Sequence, residues 1–167
     1  MKILVVVGTR PEAIKMAPVI RALQARPTQF DVAVCLTAQH RDLLDQVIQC
    51  FEIPVDYDLN LMAPNQSLAQ LTSRVLLGME NVLQQAKPEV VLVHGDTTTS
   101  FAAATAAFYR RIPVGHVEAG MRTYDRDSPF PEEMNRRLTD DLCTYHYVAT
   151  ASGRANLLQE HIAPEHI

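Results

Sequence analysis

Helices packed on both faces of a parallel β-sheet, an α/β doubly wound (Rossmann-like) architecture, is what this 167-residue chain predicts. Apolar runs of strand length alternate with segments of helical spacing, the order that builds parallel sheets. Those strand runs are apolar at consecutive positions, as in strands covered on both faces. The apolar fraction of 47% and the length suit one domain with its own core.

Residues 2–7 (KILVVV) read as the first strand. They superficially resemble a signal sequence, but the run is short and ends in Gly-Thr-Arg-Pro rather than in small residues. Residues 10–25 follow as a helix with Ile14, Ala17, Ile20 and Leu23 on one face, and Pro18 is expected to bend it. Residues 31–36 (DVAVCL) form the second strand, and residues 40–50 a helix with Leu43, Leu44, Val47 and Ile48 inward. A short extended piece near 55–57 leads into a polar loop ending at Gln66. Residues 67–86 make a long helix, with Leu68, Leu71, Val75, Leu76 and Met79 at core spacing. Strands at 89–94 and 113–117 flank a helix of small residues at 100–108. A helix at 132–141, a strand at 144–149 and a helix at 152–161 complete the order.

Net charge is −4, which excludes wholesale attraction to nucleic acid or an anionic membrane. No apolar run approaches the ~20 residues of a membrane span. Cys35, Cys50 and Cys143 are odd in number and far apart, and read as reduced thiols.

In doubly wound sheets ligands sit beyond the carboxyl ends of the strands. The first strand ends in Gly8-Thr9-Arg10-Pro11-Glu12, where Thr9 and Glu12 have capping-box spacing and Pro11 suits a first helical turn. Arg10 and Lys15 are not needed for that local structure. They are either solvated cations or, with the helix N-terminus, an anion site for phosphate or carboxylate. A single glycine replaces the three of G-x-G-x-x-G, so a nicotinamide cofactor is not expected and none is assigned.

The strand at 89–94 leads into Gly95-Asp96-Thr97-Thr98-Thr99. Asp96 is either a helix cap, a duty Thr97, Thr98 or Thr99 could also fill, or a functional acid. Glu118 follows the next strand with no obvious capping duty, ahead of Ala119 and Gly120. Two acids on neighbouring strand ends can serve as general acid and base when their surroundings separate their affinities for a proton. His94 and His116 stand two residues before these acids; core histidines bonded to backbone are commoner there than ligands, and no metal is assigned. Glu132 and Glu133 open the helix at 132–141, where acids suit the dipole, and Arg136 and Arg137 could pair with them.

The blocks GTRPEAIKMAP, TAQHR, DYDLN, VLVHGDTTT, IPVGHVEAGMRT and SPFPEEMNRR occur in order across the chain, which resembles the bacterial non-hydrolysing UDP-N-acetylglucosamine 2-epimerases. The resemblance implies the N-terminal half of a two-domain, glycosyltransferase-B-like fold. Residues 1–167 would be its N-terminal Rossmann-like domain, with the C-terminal nucleotide-binding domain outside this chain. It implies reversible conversion of UDP-GlcNAc to UDP-ManNAc at C2, through loss of UDP and a 2-acetamidoglucal, supplying ManNAc-type sugars for cell-surface polysaccharide. The 167 residues alone would then be inactive. Asp96, Glu118 and Glu132 match the family's catalytic acids, and Arg10 and Lys15 match residues at the substrate cleft. Gln39 lies in a block tied in some members to an allosteric UDP-GlcNAc site, although Asp42 replaces a second glutamine of that block. The loop MRTYDRDSPF departs from its commoner forms in the family. The family is typically dimeric and cytoplasmic, which implies a homodimer for the complete protein. Rival readings are a sugar transferase of the same architecture, a hydrolysing epimerase, and a non-catalytic nucleotide-sugar-binding domain.

Overall fold

Six strands form one parallel sheet in the order β3-β2-β1-β4-β5-β6. The structure is a computed structural model that describes residues 1–37, 41–61, 63 and 65–167, without the side chains of residues 41–43. The strands are β1 (Lys2–Val7), β2 (Asp31–Leu36), β3 (Tyr57–Asp58), β4 (Val90–His94), β5 (Val114–Val117) and β6 (Tyr145–Tyr147). The helices are α1 (Arg10–Gln24), α2 (Arg41–Cys50), α3 (Leu68–Ala86), α4 (Thr98–Tyr109), α5 (Glu132–Leu142) and α6 (Ala151–Gln159), followed by a 3-10 turn at Pro164–His166. The predicted sequence of elements is present, and the strands alternate with crossover helices as parallel pairing requires.

β1 occupies the centre, paired with β2 on one side and β4 on the other. Its alternating side chains divide the core in two. Leu4 and Val6 join the layer built by α3 and α4, whereas Ile3, Val5 and Val7 join the layer of α1 and α2. This two-sided burial accounts for a strand with no polar alternation. In α4, Ala102, Ala103, Ala104, Ala106 and Ala107 are all buried, so the small residues let neighbouring elements approach it on several sides.

Two core assignments differ from the sequence reading. Ile14 is 41% exposed, and the inner face of α1 is instead Ala13, Met16, Ala17 and Ile20. The helix is phased by Glu12, which is 2% exposed and drawn under the sheet rim by four donors. Leu68 is 43% exposed because it opens α3 directly after the Ser67 cap. The short extended piece pairs at Tyr57–Asp58 rather than at 55–57, and the last strand contracts to three residues. Gln39 and the side chains of Asp42 and Leu43 lie outside the described residues.

The chain runs from β1 outward to β3 and then returns to the other side of β1 as β4. The strand order therefore reverses between β1 and β4, and the crevice above that switch is where such sheets take ligands. Among the described residues, no helix is long and apolar enough to cross a membrane.

Candidate active site

The carboxyl ends of β1, β4 and β5 are neighbours, and each turns directly into residues singled out by the sequence. At the end of β1, Glu12 folds back beneath the rim. Its Oε2 accepts the N–H groups of Gly8 at 2.5 Å and Thr9 at 2.9 Å. Its Oε1 accepts the hydroxyl of Thr97 at 2.6 Å and that of Ser100 at 3.3 Å. Burial pushes the Glu12 carboxyl up, and its donors only partly offset this. The capping glutamate thus also bridges the β1 turn to the β4 turn. Because it occupies the Gly8 and Thr9 amides, the cations available for an anion here are side chains. Arg10 is exposed at the start of α1 with no ion pair among the described residues.

Lys15, one turn further along α1, does have a partner. Its Nζ donates to Glu118 Oε2 at 2.6 Å. His94 Nε2 lies 3.4 Å from the same oxygen, while His94 Nδ1 is buried with no hydrogen-bond partner among the described residues. Glu118 reaches this place because the chain turns sharply after β5. Its φ of 69° lies in the left-handed region, and its N–H donates to Tyr147 O at 2.9 Å. A non-glycine residue held there is backbone strain of the kind found at functional sites. Burial pushes the Glu118 carboxyl up, but the bonded Lys15 ammonium and the His94 ring prevail and hold it below the ordinary carboxylate value. His94 is itself held below its ordinary value, mainly by burial and despite Glu118. The arrangement is an ionised carboxylate clasped between a cation and a neutral, mostly desolvated ring.

Asp96 emerges from β4 beside this group. Thr97 caps α4, with its hydroxyl accepting the Ser100 N–H at 3.1 Å, so Asp96 has no capping duty. Asp96 forms an ion pair with Arg136 of α5, and Asn135 Nδ2 donates to the Asp96 carbonyl at 3.0 Å. Arg136 also lies 3.3 Å from Glu133 Oε2. Glu133 is wholly buried and accepts the N–H groups of Thr123 at 3.0 Å and Tyr124 at 3.1 Å, which shapes the loop before α5. Of the two glutamates that open this helix, Glu133 is thus committed to backbone amides, whereas Glu132 is half-buried. The peptide bonds before Pro129 and Pro131 are both cis.

Arg10, Lys15, Asp96 and Glu118 consequently share one rim, with Glu132 on the helix whose Arg136 holds Asp96. Sequence reading did not single out Glu12 as a bridge or Asn135 as a support, and it passed over Asp140 entirely. One signal was present: Glu133, Arg136 and Asp140 recur at helical spacing, so the buried face of α5 is polar where an ordinary helix would be apolar. The site can hold an anion with Arg10 and Lys15 and exchange protons through carboxylates in different surroundings. A cavity of about 430 Å³ lined by Ile3, Leu23, Phe30, Val90 and Tyr147 lies on the α1 face of the sheet and touches none of these carboxylates.

Residues 21–167 match the protein family described as UDP-N-acetylglucosamine 2-epimerase. The UDP-N-acetylglucosamine 2-epimerase of Salmonella typhimurium is 58% identical over 167 residues, all of this chain and 44% of that protein. The crystal structure of UDP-GlcNAc 2-epimerase from Neisseria meningitidis bound to UDP-GlcNAc matches with a TM-score of 0.96 at 57% identity. It covers 99% of this chain and 44% of that one. A lipopolysaccharide outer core galactosyltransferase in its apo form matches with a TM-score of 0.70 at 11% identity, a likeness of fold alone. The chain spans less than half the length of the curated relatives it matches.

Proposed function

This chain belongs to the UDP-N-acetylglucosamine 2-epimerase family, and from that premise we propose that it supplies one half of an isomerase interconverting UDP-GlcNAc and UDP-ManNAc. The observation that carries the proposal is the Glu118 carboxylate, kept ionised by Lys15 and set beside His94 on the rim that also bears Asp96. The C2 hydrogen of an N-acetylhexosamine is weakly acidic, so its removal needs a positioned base. As a base takes that proton, the C2–H electrons form a C1=C2 bond and the C1–O bond to UDP breaks. The products are a 2-acetamidoglucal and UDP. Protonation at C2 from the opposite face, with return of UDP to C1, completes the inversion. Asp96, Glu118 and Glu132 form the proton-transferring set on this reading. Arg10 and Lys15 stabilise the leaving diphosphate, where cations gain strength as charge develops.

A glucal intermediate must be kept from water, which one open rim does not achieve. The working protein is therefore a two-domain enzyme in which residues 1–167 face a second, nucleotide-binding domain across a cleft. It functions as a cytoplasmic homodimer that uses no cofactor or metal, and it supplies ManNAc-type sugars for polysaccharide. Three unpaired cysteines suit that compartment. The test is incubation of the full-length protein with UDP-GlcNAc in D2O, followed by NMR. Deuterium entering C2 together with UDP-ManNAc is the expected result. Sugar passed to an acceptor without C2 exchange would identify a transferase instead, and accumulation of free ManNAc a hydrolysing epimerase.

A further inference from the structure

One buried ring links the two turns that carry the candidate acids, one directly and the other through Asp140. His116 on β5 is fully buried. Its Nε2 lies 2.6 Å from the carbonyl oxygen of Gly95, the residue before Asp96. Its Nδ1 lies 2.5 Å from Asp140 Oδ1. The other oxygen of Asp140 accepts the Gly120 N–H at 3.2 Å, two residues beyond Glu118, and pairs with Arg122 Nη2 at 2.8 Å. Arg122 in turn grips Glu160 through two bonds of 2.8 and 2.6 Å. A continuous line therefore runs from the Asp96 turn through His116 and Asp140 to the Glu118 turn, and is fastened to the end of α6.

Both turns need such support. Gly95 and Gly120 have φ values of 68° and 78°, and Glu118 itself sits at 69°. Turns in the left-handed region do not hold one geometry unless their surroundings impose it. The hydrogen-bond inventory of His116 is also informative. A carbonyl oxygen can only accept, so Nε2 must carry a proton. Asp140 is kept ionised by the His116 ring and the Arg122 guanidinium, which outweigh its burial, so Nδ1 faces an acceptor as well. The ring therefore bridges two fixed oxygens, with Nε2 donating to the Gly95 carbonyl and Nδ1 against the Asp140 carboxylate.

We propose that His116 and Asp140 are positioning residues for the epimerisation, a buried ring and its carboxylate that lock the Asp96 and Glu118 turns at a constant separation. The inference rests on the reading that Asp96 and Glu118 carry the chemistry. Neither His116 nor Asp140 touches substrate. Their effect is on where the two carboxylates stand when the proton moves, and displacement of a catalytic group by an ångström costs about 10²-fold in rate.

The experiment uses the full-length enzyme, with turnover of UDP-GlcNAc and deuterium uptake at C2 as readouts and a thermal melt for each variant. His116→Gln carries its N–H donors on a single nitrogen and cannot span both acceptors. It should lower kcat about 10- to 100-fold with KM within about threefold of wild type. Asp140→Asn can donate its amide to Nδ1 while Nε2 still holds Gly95, so it should retain most of the rate. Combining His116→Gln with Asp96→Asn, or with Glu118→Gln, should add little to the loss of the single carboxylate variant. A wild-type kcat in His116→Gln, or losses that multiply in full with both carboxylate variants, would overturn the proposal while leaving the catalytic assignment intact. Unimpaired turnover in both Asp96→Asn and Glu118→Gln would instead remove the assignment, and the positioning role with it. Where His116→Gln does not fold, nitrogen-15 NMR of the wild-type histidines decides. A protonated Nε2 on His116 is expected, and a bare Nε2 would reject the clamp.

Discussion

The ammonium of Lys15 and the carboxylate of Glu118 meet at 2.6 Å although 103 residues separate them in the chain. The contact joins the first helix to the end of the fifth strand across the sheet's switch point. Lys15 is half-exposed, so the pair contributes little to stability. Its weight lies in the state of Glu118: the bonded cation holds the carboxyl below its ordinary value against the upward push of burial.

Glu118→Gln should therefore lower kcat about 10²-fold or more in the full-length protein, with its thermal melt little changed. A loss below about threefold in steady-state kinetics would leave Glu118 a structural acid. Lys15→Met should move the acid limb of the pH–rate profile to higher pH, because Glu118 then rises toward its ordinary value.

Glu12 offers a test of the rim itself. Glu12→Ala deletes the acceptor for two amides and two hydroxyls and should cost about 3–5 kcal/mol in denaturant unfolding. Glu12→Gln keeps an oxygen for the amides and offers an amide to the hydroxyls, so its cost should be about 1 kcal/mol.

Gly120 is constrained twice. Its φ is 78°, and an added Cβ would lie 2.3 Å from the carbonyl oxygen of Gly153 in α6. Gly120→Ala should destabilise the protein by more than about 2 kcal/mol. It should also lower activity, since the shifted backbone is the one that carries Glu118.

Acidification should weaken the fold in two stages. His94 has a folded pKa below its ordinary 6.5, so the unfolded chain binds the extra proton first and stability falls as pH drops from 6.5 through the folded value. Glu118 and Asp140 are also depressed, and their contributions are present above 4.5 and 3.8 and lost as pH falls through their folded values. Glu12 is raised and works in the opposite sense. Thermal melts across this range check the signs, and His94→Phe should flatten the fall that begins at 6.5 and also weaken the Glu118 contribution, which the His94 ring helps to set.

The order of strands and helices could be read in advance because it depends on local patterns. KILVVV and VVLVH are apolar without alternation, and the helices between them repeat at three and four residues. The strand ends carrying Arg10, Asp96 and Glu118 follow from that order, since parallel strands bring their carboxyl ends to one rim. A helix cap among Asp96, Thr97, Thr98 and Thr99 was legible for the same reason, since a cap acts on an amide three residues away, and the structure selects Thr97.

What the local pattern could not decide is which side chains meet across that rim. Glu12 reads as an N-terminal capping residue, yet it also holds the hydroxyls of Thr97 and Ser100, more than eighty residues on. Ile14 has the spacing of a core residue, yet the pull on Glu12 turns it outward. His116 looks like an ordinary histidine in a strand, and Asp140 like one more charge on a helix, until β4, β5 and α5 come together around them. Sequence by itself settled the elements, their parallel arrangement and the edge at which the acids stand. Tertiary structure decided their partners and charge states. Propensity and periodicity act over three or four residues, whereas burial and ion pairing depend on strands that become neighbours only when the sheet is assembled.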